Sequence, residues 1–173
     1  PLIGPVPLGL HGRCPCFDAR FLGRAAGCGR AALDLAWRNV PCILINRKRD
    51  TPNHPQGNTH NARTMEHYRR LGIASTIRKV GLPPDHPTDV GYFTTLNGWE
   101  LARHQMPSEN QKVARRDAAV STDQIPEPLF RANQMYVEAE LFRHIQTQKH
   151  IVPRYGWRCV EIDEKASGGF AVT

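Results

Sequence analysis

The sequence holds no CxxC pair, no HExxH segment and no apolar run long enough to cross a membrane. Its five cysteines, Cys14, Cys16, Cys28, Cys42 and Cys159, form an odd set. Cys14-Pro15-Cys16 is too close-set and too isolated for a zinc ribbon, so free thiols in a reducing compartment are expected, and no metal. The first residues, PLIGPVPLGL, are apolar but broken by proline, with no basic stretch and no methionine ahead of them. They fit a signal peptide poorly, and a cytoplasmic protein without a membrane partner is expected.

Acidic residues are outnumbered: 23 Lys and Arg stand against 16 Asp and Glu, a formal charge of +7. That balance alone would suit a nucleic-acid binder. However, Arg47-Lys48-Arg49, Arg69-Arg70 and Arg115-Arg116 are separated by acidic or apolar residues, and no zinc-finger, bZIP or RNP-type pattern accompanies them. No nucleic-acid partner is expected.

What is present begins clearly at Ala31. Residues 1–30 are rich in Gly, Pro, Arg and Cys and show neither helical nor strand periodicity, so they read as an irregular segment. Ala32, Leu33, Leu35, Ala36 and Trp37 then predict a short helix packed on a sheet. Val40 to Ile45 is a continuous apolar run suited to a strand buried on both faces. A polar loop over 50–60 leads to NARTMEHYRRLG, where Asn61 predicts an N-cap and Gly72 a stop. Residues 89–104 alternate and turn at Asn97-Gly98, which predicts a hairpin. Pro107 to Pro128 reads as a surface loop with a short helix, and Asn133 to Lys149 as an amphipathic helix. Trp157 to Ile162 reads as a strand, and Phe170 to Thr173 as the start of another.

Helix, apolar strand, polar loop, ARTMEHYRRLGI, hairpin and RANQMYVEAELFRHI, in this order, resemble the front portion of the FAD-dependent aromatic-ring hydroxylases, the phenol and hydroxybenzoate monooxygenase class. The resemblance runs from about Ala31 to Val172. It implies an α/β fold: an incomplete Rossmann-like FAD-binding domain over residues 31–173, with residues 89–104 beginning a substrate-domain β-sheet. It also implies FAD as cofactor, NAD(P)H as transient reductant, dioxygen, and a small phenolic or aromatic substrate. Arg63 matches the family's arginine near the flavin side of the cofactor. Gln134 matches a glutamine that reaches the ribityl or pyrophosphate region, with Arg131 a weaker candidate. Tyr92 and Trp99 are expected either to line the substrate pocket or to pack in a core. No catalytic acid or base is assigned.

Two family features differ here. In the family, a GxGxxG turn holds the FAD pyrophosphate at a helix N-terminus. Aligned without a gap, its three glycines fall on Gly23, Ala25 and Cys28. A second register reads Gly27-Cys28-Gly29-Arg30-Ala31-Ala32 as GxGxxA, with Ala19 to Ala26 as the strand before it. A third uses Leu2 to Leu10. All three stay open, and Gly23, Gly27 and Gly29 are retained as cofactor-binding candidates. Asn46 stands where the family carries an acid for the adenosine ribose hydroxyls, a neutral and weaker acceptor at the same place. The change of composition at Ala31 points to a shifted reading frame or rearranged start over residues 1–30, and with it weak folding in isolation. A non-catalytic remnant that does not bind FAD is the alternative to an active oxidoreductase.

Overall fold

The structure, a computed structural model, describes residues 25–54, 56–116, 126–164 and 170–172. In chain order the elements are α1 (Ala25–Trp37), β1 (Cys42–Asn46), β2 (Thr59–His60), α2 (Ala62–Arg70), α3 (Ala74–Arg78), β3 (Val90–Phe93) and β4 (Glu100–His104). They continue with α4 (Glu109–Arg116), β5 (Phe130–Arg131), α5 (Gln134–Gln146), β6 (Ile151–Tyr155), β7 (Ile162–Glu164) and β8 (Phe170–Val172). The chain divides into two compact units, one formed by residues up to Asn53 and from Glu138 onward, the other by His54 to Val137. Among the described residues, no helix is long and apolar enough to cross a membrane.

In the first unit β1 and β6 pair in parallel, Cys42 opposite Ile151 and Asn46 opposite Tyr155. A parallel pair needs a long crossover, and α5 completes it. α1 packs on β1, burying Leu33 and Ala36 beside Leu44. Leu141, Ile145 and Ile151 extend this core. α1 ends because Asn39 adopts a left-handed φ of 58°. The Val40 N–H then reaches Leu35 O and the Asn39 N–H reaches Ala36 O, each at 2.9 Å, which closes the helix as a Schellman motif. Ile43 on β1 remains 52% exposed, so the expected burial on both faces is not seen; β1 and β6 form a two-stranded sheet with the helices packed on one side.

Two sequence expectations shift. The first helix starts at Ala25, six residues ahead of the boundary at Ala31, so the glycines at 27 and 29 sit inside α1. The strand expected over Trp157 to Ile162 lies earlier, at Ile151–Tyr155, and residues 157–161 belong to no strand. Pro153 lies within β6, a strand at a sheet edge, where a missing N–H need not break the ladder. Residues 1–24, and with them Gly23, the Leu2 to Leu10 register and the frame-shift expectation, lie outside the described residues.

In the second unit Thr59 pairs with Arg131 and His60 with Phe130 in a short antiparallel ladder. The Ala132 N–H to Asn58 O bond (3.0 Å) and the Gln134 N–H to Gly57 O bond (2.8 Å) prolong it. Asn61 Oδ1 accepts the Thr64 N–H at 2.8 Å and caps α2, and Gly72 (φ 76°) follows its end. Met65, Tyr68, Ile73, Ile77 and Phe130 are buried together with Val137. Gly81 lies so close to the Phe130 ring and Arg131 O (2.5 Å from an added Cβ) that no side chain fits there. Ser108 and Gln111 form a reciprocal capping box at the start of α4. The predicted hairpin is present as β3–β4, with a bulge between Tyr92 and Phe93. Tyr92 and Trp99 are 58% and 83% exposed, so neither packs in a core within the described residues.

Candidate functional site

Because α1 feeds directly into β1 and packs along it, its first turn stands at the carboxyl end of that strand. In open α/β sheets this edge receives ligands, and a helix N-terminus there favours an anion. Ala25 opens α1 and Cys28 lies in its first turn, the positions that the gap-free register gives to the second and third fingerprint glycines. Gly29 is buried, and an added Cβ would come within 3.2 Å of Ile145 Cδ1. Gly27 is exposed with nothing within 4 Å of such a Cβ. Both therefore serve as helix residues, Gly29 allowing close packing against α5.

Asn46 ends β1. Its Oδ1 accepts the Lys48 N–H at 3.0 Å, and its side chain is hydrogen-bonded to the half-buried Tyr155 on the neighbouring strand. Burial pushes the Tyr155 hydroxyl above its ordinary pKa of 10.0. The Asn46 bond opposes this, and Glu138, Cys28 and Asp50 add to it. Sequence reasoning missed Tyr155, because nothing in the chain's spacing announces which residue of a distant strand will lie opposite Asn46.

The second unit holds the other two candidates. The antiparallel ladder places Gln134, first residue of α5, beside Gly57 at one end, and α2 with Arg63 beyond the other end. Arg63 is largely exposed and pairs with Glu66 at 2.6 Å, one helical turn on. Gln134 is half-buried, its Oε1 close to Gly57. Arg131 bridges two segments: one terminal nitrogen donates to Thr59 Oγ1 (2.8 Å) and the other to Thr88 O (3.1 Å). Those bonds fix β2 and the approach to β3. Arg78, which the sequence did not single out, meets Glu109 at 2.9 Å and Glu127 at 2.8 Å and lies over the Phe130 ring. A cavity of about 400 Å³ lies alongside, lined by Arg69, Arg78, Glu109, Glu127, Val113 and Pro128 among others. Its charges already neutralise one another, which makes it a structural clasp.

The profile of one protein family, described as an FAD binding domain, matches residues 25–167. The chain belongs to that family. The match starts where α1 starts and runs through both units. An FAD-dependent monooxygenase from Emericella nidulans, apdD, is 30% identical over 129 residues, covering 73% of this chain and 20% of that protein. Phenol 2-monooxygenase of a Pseudomonas species is 25% identical over 149 residues, 78% of this chain and 24% of that enzyme. Among solved structures, the flavin-dependent monooxygenase PieE in complex with FAD and substrate superposes with a TM-score of 0.66 at 25% identity, covering 87% of this chain and 27% of PieE. RebC, a rebeccamycin biosynthetic enzyme solved with reduced flavin, gives 0.66 at 25% identity over 86% of this chain and 28% of its own. The chain thus spans about a fifth of the curated relatives it matches, and its α/β fold is part of the FAD-binding monooxygenase fold.

Set against FAD, the candidate residues fit unequally. The side chains of Arg63 and Gln134 can donate to phosphate and ribityl oxygens. The Asn46 amide at the end of β1 is a neutral and weaker acceptor than a carboxylate, and one of its Oδ1 lone pairs is taken by the Lys48 N–H. That end does not fit the free hydroxyls of an FAD ribose as an acid would.

Proposed function

We propose that this chain is the cofactor-binding front portion of a FAD-dependent monooxygenase that hydroxylates a phenolic or other aromatic ring with NAD(P)H and dioxygen. The observation that carries the reading is the β2–β5 ladder. It joins the segment leading into α2, with Arg63, to the segment leading into α5, with Gln134, within one unit and inside the span matched by the FAD binding domain family. A phenol-oxidising relative and an FAD- and substrate-bound neighbour support the same class. Bound flavin supplies the redox chemistry in such enzymes, while the protein positions it and excludes water. In this chain Arg63 would pair with cofactor phosphate or flavin-side oxygens, and Gln134 would hydrogen-bond the ribityl–pyrophosphate stretch.

The purified chain is expected to carry flavin absorbance or to quench FAD fluorescence on titration. A colourless chain that takes up no added FAD would overturn the reading. Asn46 and Cys28, both departures from the family's cofactor contacts, favour a second reading, a remnant that binds no FAD. The same titration separates the two.

A further inference from the structure

We infer that Arg131 is a positioning residue that fixes the β3–β4 hairpin to the ladder leading into Gln134. The hairpin's tie stands on bonds of the free chain, and only its link to FAD rests on the reading proposed above. Every residue from Gly91 to Gln105 is exposed, so the hairpin is not held by burial. A two-stranded hairpin is marginal in water by itself, and its hold must therefore lie at its base. There the Thr88 N–H donates to Met106 O at 3.3 Å and the Met106 N–H donates to Asp89 Oδ1 at 2.8 Å. The other Asp89 oxygen pairs with Arg103 at 3.4 Å. Those bonds close the base on itself.

Arg131 supplies the tie to the rest of the unit. Among the described residues, its bond to Thr88 O (3.1 Å) is the one hydrogen bond from residues 88–106 to another helix or strand. Its other terminal nitrogen holds Thr59 Oγ1 at 2.8 Å, directly across the ladder. Arg131 meets no carboxylate among the described residues, and its Nε is buried without a hydrogen-bond partner. A half-buried guanidinium is costly unless paired. Here it answers two neutral acceptors in two different segments, a span that arginine's planar fork reaches and a lysine's single ammonium does not. Its backbone is fixed as well: the Leu82 N–H donates to Arg131 O at 2.9 Å, and an added Cβ at Gly81 would stand 2.5 Å from that oxygen. Three residues on, the Gln134 N–H donates to Gly57 O at 2.8 Å. The exposed Tyr92 and Trp99 of the hairpin thus take their place relative to Gln134 through Arg131.

Hydrogen exchange followed by mass spectrometry on the whole chain, with and without FAD, tests the inference. In Arg131→Ala the amides of residues 90–104 should exchange about tenfold faster, while those of α2 and α5 keep their rates. Arg131→Lys, which keeps the charge, should show the same local rise, and Arg143→Ala, which removes an exposed charge on α5, should leave the hairpin unchanged. Saturating FAD should slow hairpin exchange in the unaltered chain and not in Arg131→Ala. An unchanged hairpin in Arg131→Ala overturns the inference. So does a rise shared equally by α2 and α5, which is the mark of a general structural role, and so does full rescue by lysine. Bound FAD that slows the hairpin no more in the unaltered chain than in Arg131→Ala overturns it too. If FAD does not bind, the proposed function falls, and the comparison of the free chains still decides the inference.

Discussion

Both units have an apolar core, but the unit from His54 to Val137 adds to it a largely buried cluster of ion pairs that joins its elements, whereas the unit around the β1–β6 pair rests on apolar packing. In the former, Arg78 joins α3, α4 and the segment before β5 through two carboxylates and an aromatic ring. In the latter, Leu33, Leu44, Leu141, Ile145 and Ile151 sandwich helices onto a parallel ladder. The charged unit holds the candidate residues Arg63 and Gln134. The apolar unit holds the carboxyl edge of the parallel pair, where Asn46 ends β1. Packing constrains volume and leaves surface chemistry at a strand end free to vary.

The largest break in that contrast should come from the apolar core. Leu141→Ala, at a site only 2% exposed, is expected to cost about 4 kcal/mol in chemical denaturation. Arg78→Ala strips a largely buried guanidinium from Glu109 and Glu127 and should cost about 3 kcal/mol. Loss of under about 1 kcal/mol would show that the clasp is not what holds its unit. Arg63→Ala sharpens the contrast differently. Its ion pair is exposed, so stability should change by less than about 0.5 kcal/mol while FAD affinity falls about tenfold. A drop in melting temperature with unchanged FAD affinity would assign Arg63 to structure alone.

The smallest effect is in pH. Burial lowers the pKa of His60 below its ordinary 6.5, against an opposing bond to the Ala132 backbone. The folded state therefore holds the ring neutral. Its contribution is complete above pH 6.5 and is lost as pH falls from there through the lowered folded value. The melting temperature should fall on going from about pH 7.5 to 5.5, and less so in His60→Gln. An identical fall in both proteins would place the titrating group elsewhere.

Much of the local structure was legible. Asn61 as cap, Gly72 as stop and the turn at Asn97-Gly98 follow from side chains whose hydrogen bonding and backbone freedom act within a few residues. The start of α1 was not, because Gly27 and Gly29 argued against a helix that burial of Ala32, Leu33 and Ala36 sustains from Ala25. Strand β6 was misplaced because Pro153 weakens its pattern, and pairing with β1 restores it.

For the candidate site the division is similar. ARTMEHYRRLGI and RANQMYVEAEL, read in order, determined the family and the cofactor class, since residue type and spacing carry that information along the chain. Only tertiary structure decided that Tyr155 would lie opposite Asn46, that Gly156 would bring Arg49 over the strand end, and that Arg78 would find Glu109 and Glu127. Those partners are separated by 30 to more than 100 residues, and pairing at such range is fixed by how the buried faces pack, which no local pattern records.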